Sequence, residues 1–162
     1  MVMREDTVLL PNGATIDDFF IFEYPEWVGV LPVTTSGELV LIRQYRHGIA
    51  KVLYELVAGV VDPLEPLLMS AQRELLEETG YTGGRWAPWL HASANPSTHT
   101  NTCHIFLAEN VEPAGFQQLD STEEISVELL SPQQVLKIIE NGGIMQSLHL
   151  AALWKYFALH PI

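Results

Sequence analysis

Arg73-Glu74-Leu75-Leu76-Glu77-Glu78 places three carboxylates within five residues. On a helix each residue turns about 100°. Glu74 and Glu78 then lie one turn apart on a single face, and Glu77 joins them from the same side. Three like charges repel, and at the C-terminal end of a helix they also oppose its dipole. A local rule broken twice tends to mark function. A hard divalent cation would remove the conflict, since Mg²⁺ takes oxygen ligands: a carboxylate or two, waters and phosphate oxygens. Taken alone, such a cluster is more often a solvated face. Leu67, Leu68, Ala71 and Leu75 form the helix's apolar stripe and are read as core.

The charge balance bears on partners. Twenty acids face eight bases, a formal net charge of -12. That excludes a general binder of nucleic-acid polymers, which needs a basic surface. Three of the five arginines, Arg43, Arg46 and Arg73, fall within one stretch. A chain with so little positive charge that still handles phosphates must borrow charge from metal ions. Hydrophobic residues make up 48%, enough for a core, and 162 residues suit one domain. No apolar run reaches the roughly 18 residues of a membrane span. The single cysteine, Cys103, precludes an internal disulfide and fits a reducing cytoplasm.

These residues need elements to position them. Residues 19–24, 27–34, 38–44 and 52–57 read as strands, with a hairpin turn at Thr35-Ser36-Gly37. A turn at Val61-Asp62-Pro63 leads into a helix over about 66–79. Pro66 suits its first turn and Gly80 the position past its end. Strands follow at 86–92, 103–108 and 125–130. A helix capped by Ser131 stops at Gly142-Gly143, and a last helix spans about 145–159, with Leu148, Ala152 and Tyr156 on one stripe. Strands, helix, strands, helices predict an α/β sandwich with a mixed sheet.

The spacing Gly59, five residues, Glu65, seven residues, Arg73-Glu74-Leu75, one residue, Glu77-Glu78, one residue, Gly80-Tyr81 resembles the Nudix box, the signature of the Nudix hydrolases. Tyr81 stands where an aliphatic residue is commoner. The resemblance implies a single domain over 1–162, an α/β/α sandwich with a loop-helix-loop metal site. It implies Glu74 and Glu78 as the main Mg²⁺ ligands, with Mn²⁺ as a substitute. Glu77 would be ligand or helper, and the Ala58 carbonyl often completes such a site. Gly59 would allow close approach to the metal. Arg73 would pair with Glu65 and orient the carboxylates. The reaction implied is attack of water on a diphosphate phosphorus.

Leu41-Ile42-Arg43-Gln44-Tyr45-Arg46 with Glu55-Leu56-Val57-Ala58-Gly59 resembles the ADP-ribose and nucleoside diphosphate sugar branch. There a residue matching Arg46 reaches substrate phosphates and one matching Glu55 helps hold the ligand. Arginine suits phosphate through its planar fork. Arg43 serves either phosphate or an acid of the chain. Pro96 lies at a spacing from the box that resembles the same branch, yet Asn95 to Asn101 has no carboxylate where the branch carries its base. Glu123 or Glu124 is then the base or an extra ligand, or both lie in an exposed acidic loop. His99 could bind phosphate or have no such role. Trp27 could stack on a nucleobase or pack in core or interface. Members of this branch are usually homodimers, and the strands within 1–30, with Phe19, Phe20, Phe22 and Tyr24, could pair with a second copy. The function implied is release of a nucleoside monophosphate and a sugar phosphate. The alternatives are hydrolysis of nucleoside triphosphates or dinucleoside polyphosphates, and a regulator that binds without hydrolysis.

Overall fold

The structure is a computed structural model and describes residues 1–161. Ten strands and three α-helices follow in the order β1 (Val2–Leu9), β2 (Thr15–Glu23), β3 (Trp27–Thr34), β4 (Leu39–Arg46), β5 (Lys51–Glu55), β6 (Val57–Val60), α1 (Leu67–Thr79), β7 (Tyr81–Thr82), β8 (Arg85–Ala92), β9 (Cys103–Pro113), β10 (Ile125–Leu130), α2 (Pro132–Glu140) and α3 (Ser147–Leu159).

Eight strands form one mixed sheet along the path β10-β4-β3-β9-β7, with β5 on β4, β6 on β3 and β8 on β9. Only β3 and β9 run parallel, in register from Trp27 opposite Cys103. Strand parity sorts the core into two layers. Val28, Val30, Val40, Ile42, Phe106 and Ala108 pack with Ala71 and Leu75 of α1. Leu31, Val33, Leu39, Leu41, Ile105 and Leu107 pack with Leu148, Ala152 and Leu153 of α3. The sheet is therefore sandwiched between α1 and α3, the α/β/α architecture. Each fully buried aliphatic side chain contributes roughly 1.5–3 kcal/mol over an exposed one, so a slip of one residue in β3 would cost many times that.

Four details differ from the sequence reading. The strand expected over 52–57 is two strands, β5 on β4 and β6 on β3. The break falls at Leu56, whose N–H donates to Nδ1 of His149 and not to a neighbouring strand. Residues 2–9 form a strand paired with β2, unanticipated because Arg4, Glu5 and Asp6 interrupt the apolar alternation. Strand β9 continues past Ala108 to Pro113, where Tyr81 and Thr82 pair with it. Leu68, assigned to the core stripe, is exposed in the first turn of α1, although helical period sets it close to the line of Ala71 and Leu75. Among the described residues no helix is long and apolar enough to cross a membrane.

Candidate active site

Helix α1 carries the carboxylates, and its C-terminal end is held by backbone. Gly80 caps it at φ 73°, donating its N–H to the Leu76 carbonyl at 2.8 Å. The carbonyls left over are taken by one loop. Gln118 N–H donates to Glu77 O at 2.8 Å, the Gln117 side chain to Glu78 O at 2.6 Å, and Ala114 N–H to Gly80 O at 2.8 Å. The same loop leads on to Glu123, so capping the helix also brings that acid toward it.

Arg73 organises the loop and helix. Its Nε and Nη2 donate to the two oxygens of Glu65 at 3.2 and 3.0 Å. Its Nη1 donates to Glu74 at 2.8 Å and Glu77 at 3.0 Å. This arrangement raises the Arg73 pKa further and lowers that of Glu65. Glu74 sits against Gly59, where a Cβ would overlap its carboxylate, so glycine is what lets this carboxylate lie against β6. Glu78 is 5% exposed and accepts the Ala58 N–H at 3.2 Å. Burial above all, then the charges of Glu74 and Glu123, push its pKa up to about 8; the Ala58 N–H and Arg46 oppose that rise. Glu74 is raised too, by burial first, with Glu77 and Glu123 adding to it against Arg73.

Beside β6 a cleft of about 470 Å³ is lined by Ala58, Gly59 and Val60, with Trp27, Arg46, Glu55 and His149 among its walls. Arg46 is clamped to buried Glu55 by Nε at 2.9 Å and Nη2 at 2.5 Å. Its Nη1 makes no hydrogen bond within the described residues, leaving a charged edge for an anion. Arg46 also acts electrostatically on Glu78, which ties the cleft to the carboxylates. Cys103 lines the same cleft, and burial pushes its thiol up to about 11, so it is an apolar wall and no nucleophile.

The structure thus brings together Glu74, Glu77, Glu78, Arg73, Ala58, Gly59, Arg46, Glu55 and Trp27. It separates the two acids of the downstream loop. Glu123 acts on Glu74, Glu78 and Arg46, whereas Glu124 lines a different cavity with Arg43, Tyr45 and Ser126. Arg43 is away from the main cleft, over the Tyr54 ring at 5.1 Å and 3.9 Å from Glu128. Pro96 is also outside its walls. Its loop is stitched to β2 by Phe22 N–H to Thr98 O at 2.7 Å and Thr100 N–H to Phe22 O at 3.1 Å. His99 lies in that loop, 5.0 Å from the Tyr24 ring and away from the carboxylates. His149 and Gln146 line the cleft although neither stood out in the sequence; His149 is tied to it by Leu56, far along the chain.

The donor set fits a divalent cation. Glu78 is a buried carboxyl whose ionised form no cation fully balances, and Glu74, partly buried and paired with Arg73, lies one turn away. The Ala58 carbonyl belongs to the strand against which both rest. Among the described residues no three acids, histidines or cysteines already stand in the mutual geometry of a closed cage. Arg73 holds one oxygen each of Glu74 and Glu77.

With fold and site in hand, the chain belongs to the Nudix hydrolases: the NUDIX domain model matches residues 24–148. The ADP-ribose pyrophosphatase of Bacillus subtilis (strain 168) is 31% identical over 140 residues, 86% of this chain and 75% of that protein. The methanol dehydrogenase activator of Bacillus methanolicus is 28% identical over 146 residues, 90% of this chain and 78% of that one. A solved structure described as an ADP compounds hydrolase has a TM-score of 0.84 at 21% identity, covering 98% of this chain and 87% of that chain, a likeness of fold. The family generally uses a divalent metal.

Proposed function

We propose that this chain hydrolyses the pyrophosphate bond of ADP-ribose or a nucleoside diphosphate sugar with Mg²⁺, yielding a nucleoside monophosphate and a sugar phosphate. The observation that carries the reading is the juxtaposition at β6. Partly buried Glu74 and buried Glu78 rest against Ala58-Gly59, and the same two residues line a cleft that holds a clamped arginine. The similarity to the Bacillus subtilis ADP-ribose pyrophosphatase supports the choice of substrate class.

Glu74 and Glu78 would hold Mg²⁺, or Mn²⁺ in its place, with Glu77 and the Ala58 carbonyl completing the set. When bound, such an ion polarises phosphoryl oxygens and lowers the pKa of the attacking water. The chain's own residues do the rest. Arg46, its fork fixed by Glu55, offers Nη1 to a diphosphate oxygen. Glu123 takes the proton of the water as its oxygen bonds to phosphorus and the bridging P–O bond breaks. Arg73 keeps Glu74 and Glu77 oriented and touches no reacting atom. The exposed β1–β2 hairpin, with Val2, Met3, Leu9 and Phe20 bare, is the surface through which we propose pairing with a second copy.

A substrate panel tests the reading. Purified protein with Mg²⁺ is given ADP-ribose, GDP-mannose, UDP-glucose, dGTP and a dinucleoside polyphosphate, and phosphomonoester release is measured. Turnover of ADP-ribose or a nucleotide sugar is expected. Turnover of dGTP alone removes the proposal, and binding without turnover of any compound makes the chain a nucleotide-binding regulator.

A further inference from the structure

We infer that His149 and Gln146 form a donor-only pair that selects the nucleobase end of the substrate by its hydrogen-bond acceptors. The inference rests on the reading that this cleft receives a nucleoside diphosphate derivative.

His149 lies in the first turn of α3 and is 3% exposed, yet it lines the cleft. Its Nδ1 accepts the Leu56 N–H at 3.3 Å. A ring nitrogen that accepts carries no proton, and burial holds the imidazole neutral, with a pKa of about 4. The proton is therefore on Nε2. That N–H makes no hydrogen bond within the described residues and is not sealed in the interior, so it is offered to the cleft. Gln146 repeats the device. Its Oε1 accepts the Leu148 N–H at 2.6 Å as the cap of α3, which leaves the amide NH₂ as a donor. In each side chain a backbone N–H uses the accepting atom and fixes the other end as a donor.

The surrounding wall is apolar: Trp27, Ile49, Leu53, Cys103 and Met145. An apolar wall with two fixed donors matches a nucleobase edge bearing ring nitrogens or carbonyl oxygens. A sugar, whose hydroxyls donate as readily as they accept, leaves its own donors unpaired there. The charged edge of Arg46, on the same cleft, then lies on the diphosphate side.

A structural role for His149, closing the break between β5 and β6, is separable by substitution. His149→Asn keeps an acceptor near the Nδ1 position and removes the Nε2 donor. His149→Gln places an amide donor near Nε2. With ADP-ribose, H149N is expected to raise KM about tenfold with kcat within about twofold, and H149Q to recover part of the loss. Should H149N fail to fold, Gln146→Glu decides: it keeps the cap on Leu148 and replaces the donor by a carboxylate, and KM rises by a similar factor. Unchanged KM in the folded variants overturns the proposal. If the wild type hydrolyses no panel compound, the hydrolase reading fails and calorimetric binding of ADP-ribose takes over as the readout. Roughly tenfold weaker binding by the variants then supports the donor pair, and equal affinity, or no binding by the wild type, refutes it.

Discussion

Replacing Glu78 by glutamine removes an ionisable group that the folded state holds far from its ordinary pKa, and the consequence is a pH-dependent stability. With no divalent ion, the Glu78 carboxyl goes from 4.5 in the unfolded chain to about 8 in the native one. The native state then binds more protons than the unfolded state between those values. Stability is fully present below pH 4.5 and is lost as pH rises through 8. At about 1.36 kcal/mol per pH unit the loss approaches about 5 kcal/mol. His149 acts with the opposite sign. Its pKa is lowered from 6.5 to about 4, so its contribution of about 3 kcal/mol is present above 6.5 and lost as pH falls through 4. The two nearly cancel between pH 4.5 and 6.5, and Glu78 alone governs between 6.5 and 8, a fall of about 2 kcal/mol. Urea denaturation in chelator across pH 4.5 to 8.5 measures this. E78Q should equal the wild type at the acid end. At pH 8 it should exceed it by several kcal/mol, or about 10 °C in melting temperature. Added Mg²⁺ should stabilise the wild type and not E78Q, whose turnover should fall by more than the roughly 10–100-fold that supporting residues cost. A difference between E78Q and wild type that stays flat across the pH range would refute the buried-carboxylate argument.

Two further substitutions probe geometry and proton transfer. Gly59→Ala puts a methyl where the Glu74 carboxylate lies; that side-chain end can swing away, so the melting point should move little while kcat drops about 10²-fold. Glu123→Gln should lower kcat by about 10²–10⁴ with KM little changed, whereas Glu124→Gln, on another cavity, should leave kcat near wild type; equal effects of the two would remove Glu123 as the base.

Much of the site was legible in the chain itself because its parts are local. Glu74, Glu77 and Glu78 share a face by helical period, Arg73 and Glu65 are eight residues apart, and Gly80 ends the helix where its φ demands glycine. The two layers of the core could not be separated in the sequence, since β3, β4 and β9 are apolar at odd and even positions alike and only the fold shows them facing opposite helices. What local pattern could not carry was partnership between distant segments. The choice between Glu123 and Glu124 depends on how the 114–118 loop caps α1. The placement of Arg46 in the cleft and Arg43 outside it depends on which neighbour each guanidinium meets. The break at Leu56 exists because a histidine 93 residues later accepts its N–H. Helical and strand periods act over a few residues and are fixed by sequence order. Burial and hydrogen-bond pairing across the sheet arise only when remote segments meet, and so tertiary structure alone decided them.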